Sequence, residues 1–107
     1  MISRKDEIIE MLKNEPDDVF LNYALGMEYL TENNHHQALQ QFEKVIALDH
    51  SNIAAYYQCG MIYFNLNNKE KSLEYLRKGL DIARQKNDFK NIAEFQSAIT
   101  NIENDLL

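Results

Sequence analysis

Leu25-Gly26-Met27-Glu28-Tyr29 returns 34 residues later as Cys59-Gly60-Met61-Ile62-Tyr63. The same offset carries Phe42 to Leu76, Ile46 to Leu80 and Leu48 to Ile82. Applied backwards, it carries His50 to Pro16, Phe42 to Ile8 and Ile46 to Leu12. Self-similarity at one fixed period marks an array in which each unit buries its apolar face on its neighbours. The stretch before Pro16 then reads as the second half of a degenerate leading unit.

Outward from this core the chain falls into helical stretches with short joints. Ser3 caps the first, which runs to about Asn14, with Asp6 and Glu7 in its first turn, where negative charge suits the helix dipole. Ile8, Met11 and Leu12 make its apolar stripe, and Pro16 ends it. Asp17 or Asp18 caps a second stretch that reaches Thr31. A third starts after Asn33-Asn34 and ends near Leu48, with Asn34 and Gln37 at capping-box spacing. Ser51-Asn52 opens a fourth to about Asn65, and Asn67-Asn68 opens a fifth that Asn87-Asp88 breaks. The sixth carries Ile92, Phe95, Ile99, Ile102 and Leu106 at spacings of three or four. None is apolar all round, so each must bury one stripe on a neighbour, and the short joints predict antiparallel pairs.

The two full units resemble the tetratricopeptide-repeat (TPR) family, whose pattern is W-x2-L-G-x2-Y, then A-x3-F, then P. The first reads Asn22-x2-Leu25-Gly26-x2-Tyr29, Ala38-x3-Phe42, His50; the second reads Tyr56-x2-Cys59-Gly60-x2-Tyr63, Ser72-x3-Leu76, Arg84. The resemblance implies an all-α solenoid of antiparallel helix pairs with a C-terminal capping helix. It divides one domain, 1–107, into a half repeat (1–16), repeat one (17–52), repeat two (53–86) and the capping helix (87–107). In these slots Gly26 and Gly60 let paired helices approach, Tyr29 and Tyr63 fill the space between them, and Ala38 and Ser72 stay small at the crossing. Gly79 plays the same small-residue part in the fifth helix. Two departures stand out. Asn22 replaces the bulky opening residue, so Phe20 or Leu21 is expected to supply its packing. Arg84 replaces the closing proline, so the fifth helix is expected to run on to about Lys86. Ile92, Phe95 and Ile99 then sit 36 residues after Tyr56, Cys59 and Tyr63. The whole looks like the short standalone TPR proteins of bacteria, complete from Met1.

Composition narrows the function classes. The net charge of −6 argues against general nucleic-acid binding, which needs a basic footprint. The charge is uneven: Asp17–Asn52 holds one lysine against six acidic side chains, and Ile53–Lys86 holds six basic against three acidic. The two halves read as outer faces of opposite sign, or as a field that steers a charged partner or a second copy of the chain. One cysteine, Cys59, excludes an internal disulfide. The opening residues have no signal-peptide pattern, and no run is apolar enough to span a bilayer, so a cytoplasmic protein without membrane contact is expected.

In TPR arrays the first helix of each pair lines a concave groove. The resemblance therefore places Phe20, Tyr23, Met27 and Leu30 from one pair, and Ala54, Tyr57, Met61, Phe64 and Asn65 from the next, in that groove. The spacing supports two stripes on the second helix: Leu21, Leu25 and Tyr29 on one side, Phe20, Tyr23, Met27 and Leu30 on another. Phe20 and Ala54 are expected in the core. The candidate protein-binding residues are Tyr23, Met27, Leu30, Tyr57, Met61, Phe64 and Asn65, suited to an amphipathic helix or extended apolar peptide of a partner protein. The alternatives are that neighbouring helices consume these residues as core, or that a homodimer buries the same strip. Some TPR domains clamp the carboxylate tail of chaperones with Lys and Asn; Tyr, Met and Phe hold those slots here, so no such clamp is expected.

No catalytic, cofactor or metal site emerges. His35 and His36 are neighbours at a helix start and point to different sides. Cys59 sits in an apolar slot, as a buried structural thiol does. The glycines Gly26, Gly60 and Gly79 all lie in helical stretches, which leaves no phosphate loop. An enzyme is the reading of another class, and it lacks a base, a nucleophile and oxyanion donors.

Overall fold

The computed structural model describes residues 2–105; Met1 and the last two residues, including Leu106 of the expected stripe, lie outside them. The described residues form six α-helices: α1 (Arg4–Asn14), α2 (Val19–Thr31), α3 (His35–Leu48), α4 (Ile53–Asn65), α5 (Lys69–Gln85) and α6 (Phe89–Glu103). Each N-terminus has a side-chain cap. Ser3, Asp18, Asn34, Asn52, Asn68 and Asp88 accept from the backbone N–H three residues on, at 2.8 to 3.3 Å. These bonds satisfy one of the orphan donors that every helix start leaves.

The α2–α3, α4–α5 and α5–α6 turns share one construction. Asn33, Asn67 and Asn87 take positive φ values of 58°, 61° and 54°, a conformation asparagine tolerates better than most residues. Their N–H groups bond to Leu30, Phe64 and Arg84 carbonyls, and the next residue donates to Tyr29, Tyr63 and Ala83. This is the Schellman pattern, and the donor that completes it (Asn34, Asn68 or Asp88) is also the cap of the following helix. The chain thus reverses direction in a few residues with its end groups satisfied.

The chain divides into two compact units, the first ending at His50 and the second beginning at Ser51. In the first, Ile8, Asn22, Leu25, Gly26, Ala38, Leu39, Phe42 and Val45 are buried. A Cβ on Gly26 would lie 2.8 Å from the Phe42 ring, so the expected close approach of α2 and α3 is present. Lys5 on α1 meets Glu32 at the end of α2 at 2.9 Å, and Arg4 meets Glu28 at 3.5 Å, which fixes α1 and α2 as antiparallel. Glu32 holds the Lys5 ammonium above its ordinary pKa, chiefly through the hydrogen bond.

In the second unit Tyr56, Cys59 and Ile62 of α4, Leu73, Leu76 and Leu80 of α5, and Phe95, Ile99 and Ile102 of α6 build the core. A Cβ on Gly60 would lie 2.6 Å from Leu76, and one on Gly79 would lie 2.5 Å from the Phe95 ring and 3.0 Å from Tyr56 Cβ. Gly79 therefore lets α5 pack tightly on both sides, against α4 and against α6. Helix α5 runs to Gln85, as its lack of a closing proline predicts, and α6 lies antiparallel on it, with Arg77–Glu103 and Lys69–Asp105 pairs at 2.6 and 3.1 Å. Cys59 is fully buried.

Asn22 departs from the sequence expectation. It is itself the buried residue, 1% exposed, and its Nδ2 donates to the Pro16 carbonyl at 3.0 Å and the Asp18 carbonyl at 2.8 Å. Of the two residues expected to supply the missing bulk, Phe20 is 76% exposed and Leu21 is half-buried. Ala54, expected in the core, is exposed too. The reason is helical phase: at 100° per residue, Phe20 lies opposite the buried face of Asn22, Leu25 and Gly26, and Ala54 lies well off the centre of the α4 face made by Tyr56, Cys59 and Gly60.

Candidate functional site

Helix α4 supplies one wall of a candidate surface. Tyr57 and Met61 are four residues apart, so they stand one above the other on one face. Tyr57 is half-buried and packs edge-on against Phe95 of α6, with ring centroids 5.5 Å apart and planes at 82°. The face of α6 beside them carries Ala93, Ser97 and Asn101, each four residues from the last, with Glu94 and Ala98 alongside. Small side chains cannot fill the space opposite a tyrosine and a methionine. An open depression of about 360 Å³ results, lined by Tyr57, Met61, Ala93, Glu94, Ser97, Ala98 and Asn101. Its floor is apolar, Ser97 and Asn101 add hydrogen-bonding groups, and Glu94 is its single charged wall residue.

The other sequence candidates are placed differently. Phe64 is half-buried and Asn65 exposed near the end of α4, and neither lines this depression. On α2 of the first unit, Tyr23 leans edge-on against the buried Phe42 ring, with centroids 5.1 Å apart and planes at 64°. Tyr23 thus spends part of its ring on the unit's own core. Leu30 is half-buried, while Met27 is among the exposed large apolar side chains. The structure therefore brings Tyr57 and Met61 together in one depression and leaves Tyr23, Met27 and Leu30 on the surface of α2.

Sequence reasoning missed the α6 half of the depression, having read that helix for its apolar stripe alone. The spacing of Ala93, Ser97 and Asn101 beside the stripe was the available signal. Among the described residues, no three His, Cys, Asp or Glu side chains gather to hold a metal ion, and no helix is long and apolar enough to cross a membrane.

Comparison with known proteins places these helix pairs. Residues 26–67 match the family described as TPR repeat, and residues 53–86 match the one described as tetratricopeptide repeat. The solution structure of a tetratricopeptide repeat domain protein from Salinibacter ruber is 30% identical, with a TM-score of 0.78, over 83% of this chain and 90% of that one. The type III secretion translocator chaperone SycD of Yersinia enterocolitica superposes with a TM-score of 0.87 at 11% identity, over 94% of this chain and 70% of that one. The TPR2B domain of yeast Sti1, in its complex with pHsp70, gives 0.86 at 16% identity, over 94% and 81%. The 34-residue period, the glycines at the helix crossings and these matches agree: the chain is all-α and belongs to the tetratricopeptide-repeat family.

Proposed function

We propose that this chain is a non-catalytic protein-binding module that seats a peptide or helix of a partner on the face carrying Tyr57 and Met61. The depression between α4 and α6 carries the reading: an apolar floor with a few polar groups, left open because α6 has small residues there. Tyrosine and methionine suit the role, since they offer large contact area and an adaptable surface. Met27, Leu30, Phe64 and Asn65 extend the candidate surface on their own units, with Tyr23 contributing the exposed part of its ring. A neighbour of the same fold is solved in complex with pHsp70, which supports protein binding as the general use of the architecture.

The wall chemistry sets the ligand class. No lysine or arginine lines the depression, and Glu94 would repel an anionic group. The favoured occupant is an apolar segment without a carboxylate at its anchor, rather than an acidic chain terminus.

The test is selection of short random displayed peptides on the protein, followed by amide chemical-shift mapping of the enriched sequences. The expected peptides are apolar, perturb Tyr57, Met61, Ser97 and Asn101, and weaken about tenfold on Met61→Glu, a loss of the size hot-spot substitutions give. Perturbations confined to the outer face of α5 would sink the reading. A monomer–dimer equilibrium in sedimentation that Met61→Glu abolishes would instead assign the surface to self-association.

A further inference from the structure

A second depression lies in the first unit, where the end of α1 meets the start of α2. Met11, Asn14, Glu15, Asp18, Phe20 and Leu21 line about 400 Å³ there. Phe20 is 76% and Met11 50% exposed, an unusual pairing of large apolar side chains in water. Its charged lining residues are both acidic, Glu15 and Asp18, and Asp17 stands beside them in the sequence. The nearby cations are already engaged: Lys44 donates to the Pro16 carbonyl at 2.8 Å and approaches Asp17 at 3.8 Å, while Lys13 pairs with Glu10 at 2.7 Å. Among the described residues, Glu15 joins no ion pair.

We infer that this depression docks a basic amphipathic helix of another protein. One apolar side chain of that helix sits on Met11, Phe20 and Leu21, and its lysines or arginines face Glu15 and Asp18. An apolar floor with a single-sign rim selects the opposite sign, because a like charge brought to the rim is repelled and a desolvated unmatched carboxylate is costly. The same argument disfavours a second copy. A twofold contact would set the acidic rims against each other. Four of the five cations of the chain's own basic helix, α5, are paired, Lys69 to Asp105, Arg77 to Glu103, Lys78 to Glu74 and Arg84 to Asp81, and the fifth, Lys71, lies over the Tyr63 ring at 5.8 Å. This surface is separate from the α4–α6 depression and does not depend on it.

The probe is a synthetic helical peptide with leucines on one face and lysines on the other, with a counterpart in which glutamate replaces every lysine. Binding is read by fluorescence anisotropy and amide chemical-shift mapping on the full chain. The lysine peptide is expected to perturb Met11 to Leu21, to weaken about tenfold on Phe20→Ser and on Glu15→Lys, and to weaken with added salt. Phe20 is exposed, so its substitution leaves the fold intact, and Met61→Glu should leave this binding unchanged. Equal binding of the glutamate peptide, indifference to Phe20→Ser, or no binding at all overturns the inference. Self-association of the protein alone that Phe20→Ser abolishes also overturns it, and names a second copy as the occupant.

Discussion

Asn22 reaches back from the first turn of α2 to the carbonyl of Pro16, 3.0 Å from its Nδ2, and ties the α1–α2 joint to the helix it precedes. The residue is buried and also donates to Asp18 at 2.8 Å, so its amide group holds two backbone acceptors at once. Asn22→Ala removes both bonds and leaves a void, and should cost about 1–3 kcal/mol in urea unfolding followed by circular dichroism. Lys44 also donates to Pro16, which keeps that carbonyl from being orphaned and favours the lower end of the range. A variant as stable as the parent would show that Asn22 merely occupies the slot.

Ser72 offers the opposite case. Its side chain is fully buried where α5 crosses α4, and its Oγ has no hydrogen-bond partner among the described residues. The corresponding residue of the first repeat is Ala38, also fully buried. Ser72→Ala should therefore stabilise the protein by about 1 kcal/mol, because it removes an unsatisfied buried hydroxyl without opening a cavity of any size. A lower melting temperature for the alanine variant would refute the idea.

Gly79 sets two effects against each other. Alanine is better than glycine inside a helix by about 1 kcal/mol. Yet the added methyl would sit 2.5 Å from the Phe95 ring and 3.0 Å from Tyr56 Cβ, and Phe95 is fully buried with nowhere to swing. Overpacking of this kind costs about 1–3 kcal/mol or more, so Gly79→Ala should destabilise despite the propensity gain. A compensating Phe95→Leu in the same chain should recover part of the loss; failure to recover any would place the clash elsewhere.

Two ionisable groups predict the pH limits. Hydrogen bonds from Asn91, side chain first and backbone second, hold the Asp88 carboxyl below its ordinary value of 3.8. A lowered folded-state value means stability that is present above pH 3.8 and lost as pH falls through the folded value. Lys5 runs the other way. Its pKa is raised above 10.5, so its contribution is present below that pH and fades as pH rises beyond it. Thermal melts across pH should show a shallower acid limb for Asp88→Asn, which can still cap α6, and a shallower alkaline limb for Lys5→Met. Unchanged limbs would show that these groups do not set the limits.

Much of the fold is legible because its signals are local. Asn52 and Asn68 stand at the helix starts that the cap rules assign, and the glycines at the 34-residue spacing lie where the helix pairs touch. The burial of Asn22 was less legible, since an amide side chain reveals its place only when its acceptors, Pro16 and Asp18, are in position. Phe20 misled for a different reason: residue type alone says apolar, while helical phase turns it outward. The α4–α6 depression was half legible. Tyr57 and Met61 are conspicuous in sequence, whereas Ala93 and Ser97 matter for the volume they leave empty.

The three Asn-centred turns also bear on how the chain folds. Each is written in about six consecutive residues, which both close one helix and open the next. A hairpin of helices can then form from its own sequence, with only a short loop to close and little chain entropy lost before contacts are made. Folding built on such near-neighbour contacts belongs to the microsecond-to-millisecond class rather than the slow class of sheet proteins. Asn67→Val, which strains the left-handed turn at φ 61°, should slow folding to the extent that the α4–α5 hairpin is formed in the transition state, and otherwise mainly speed unfolding.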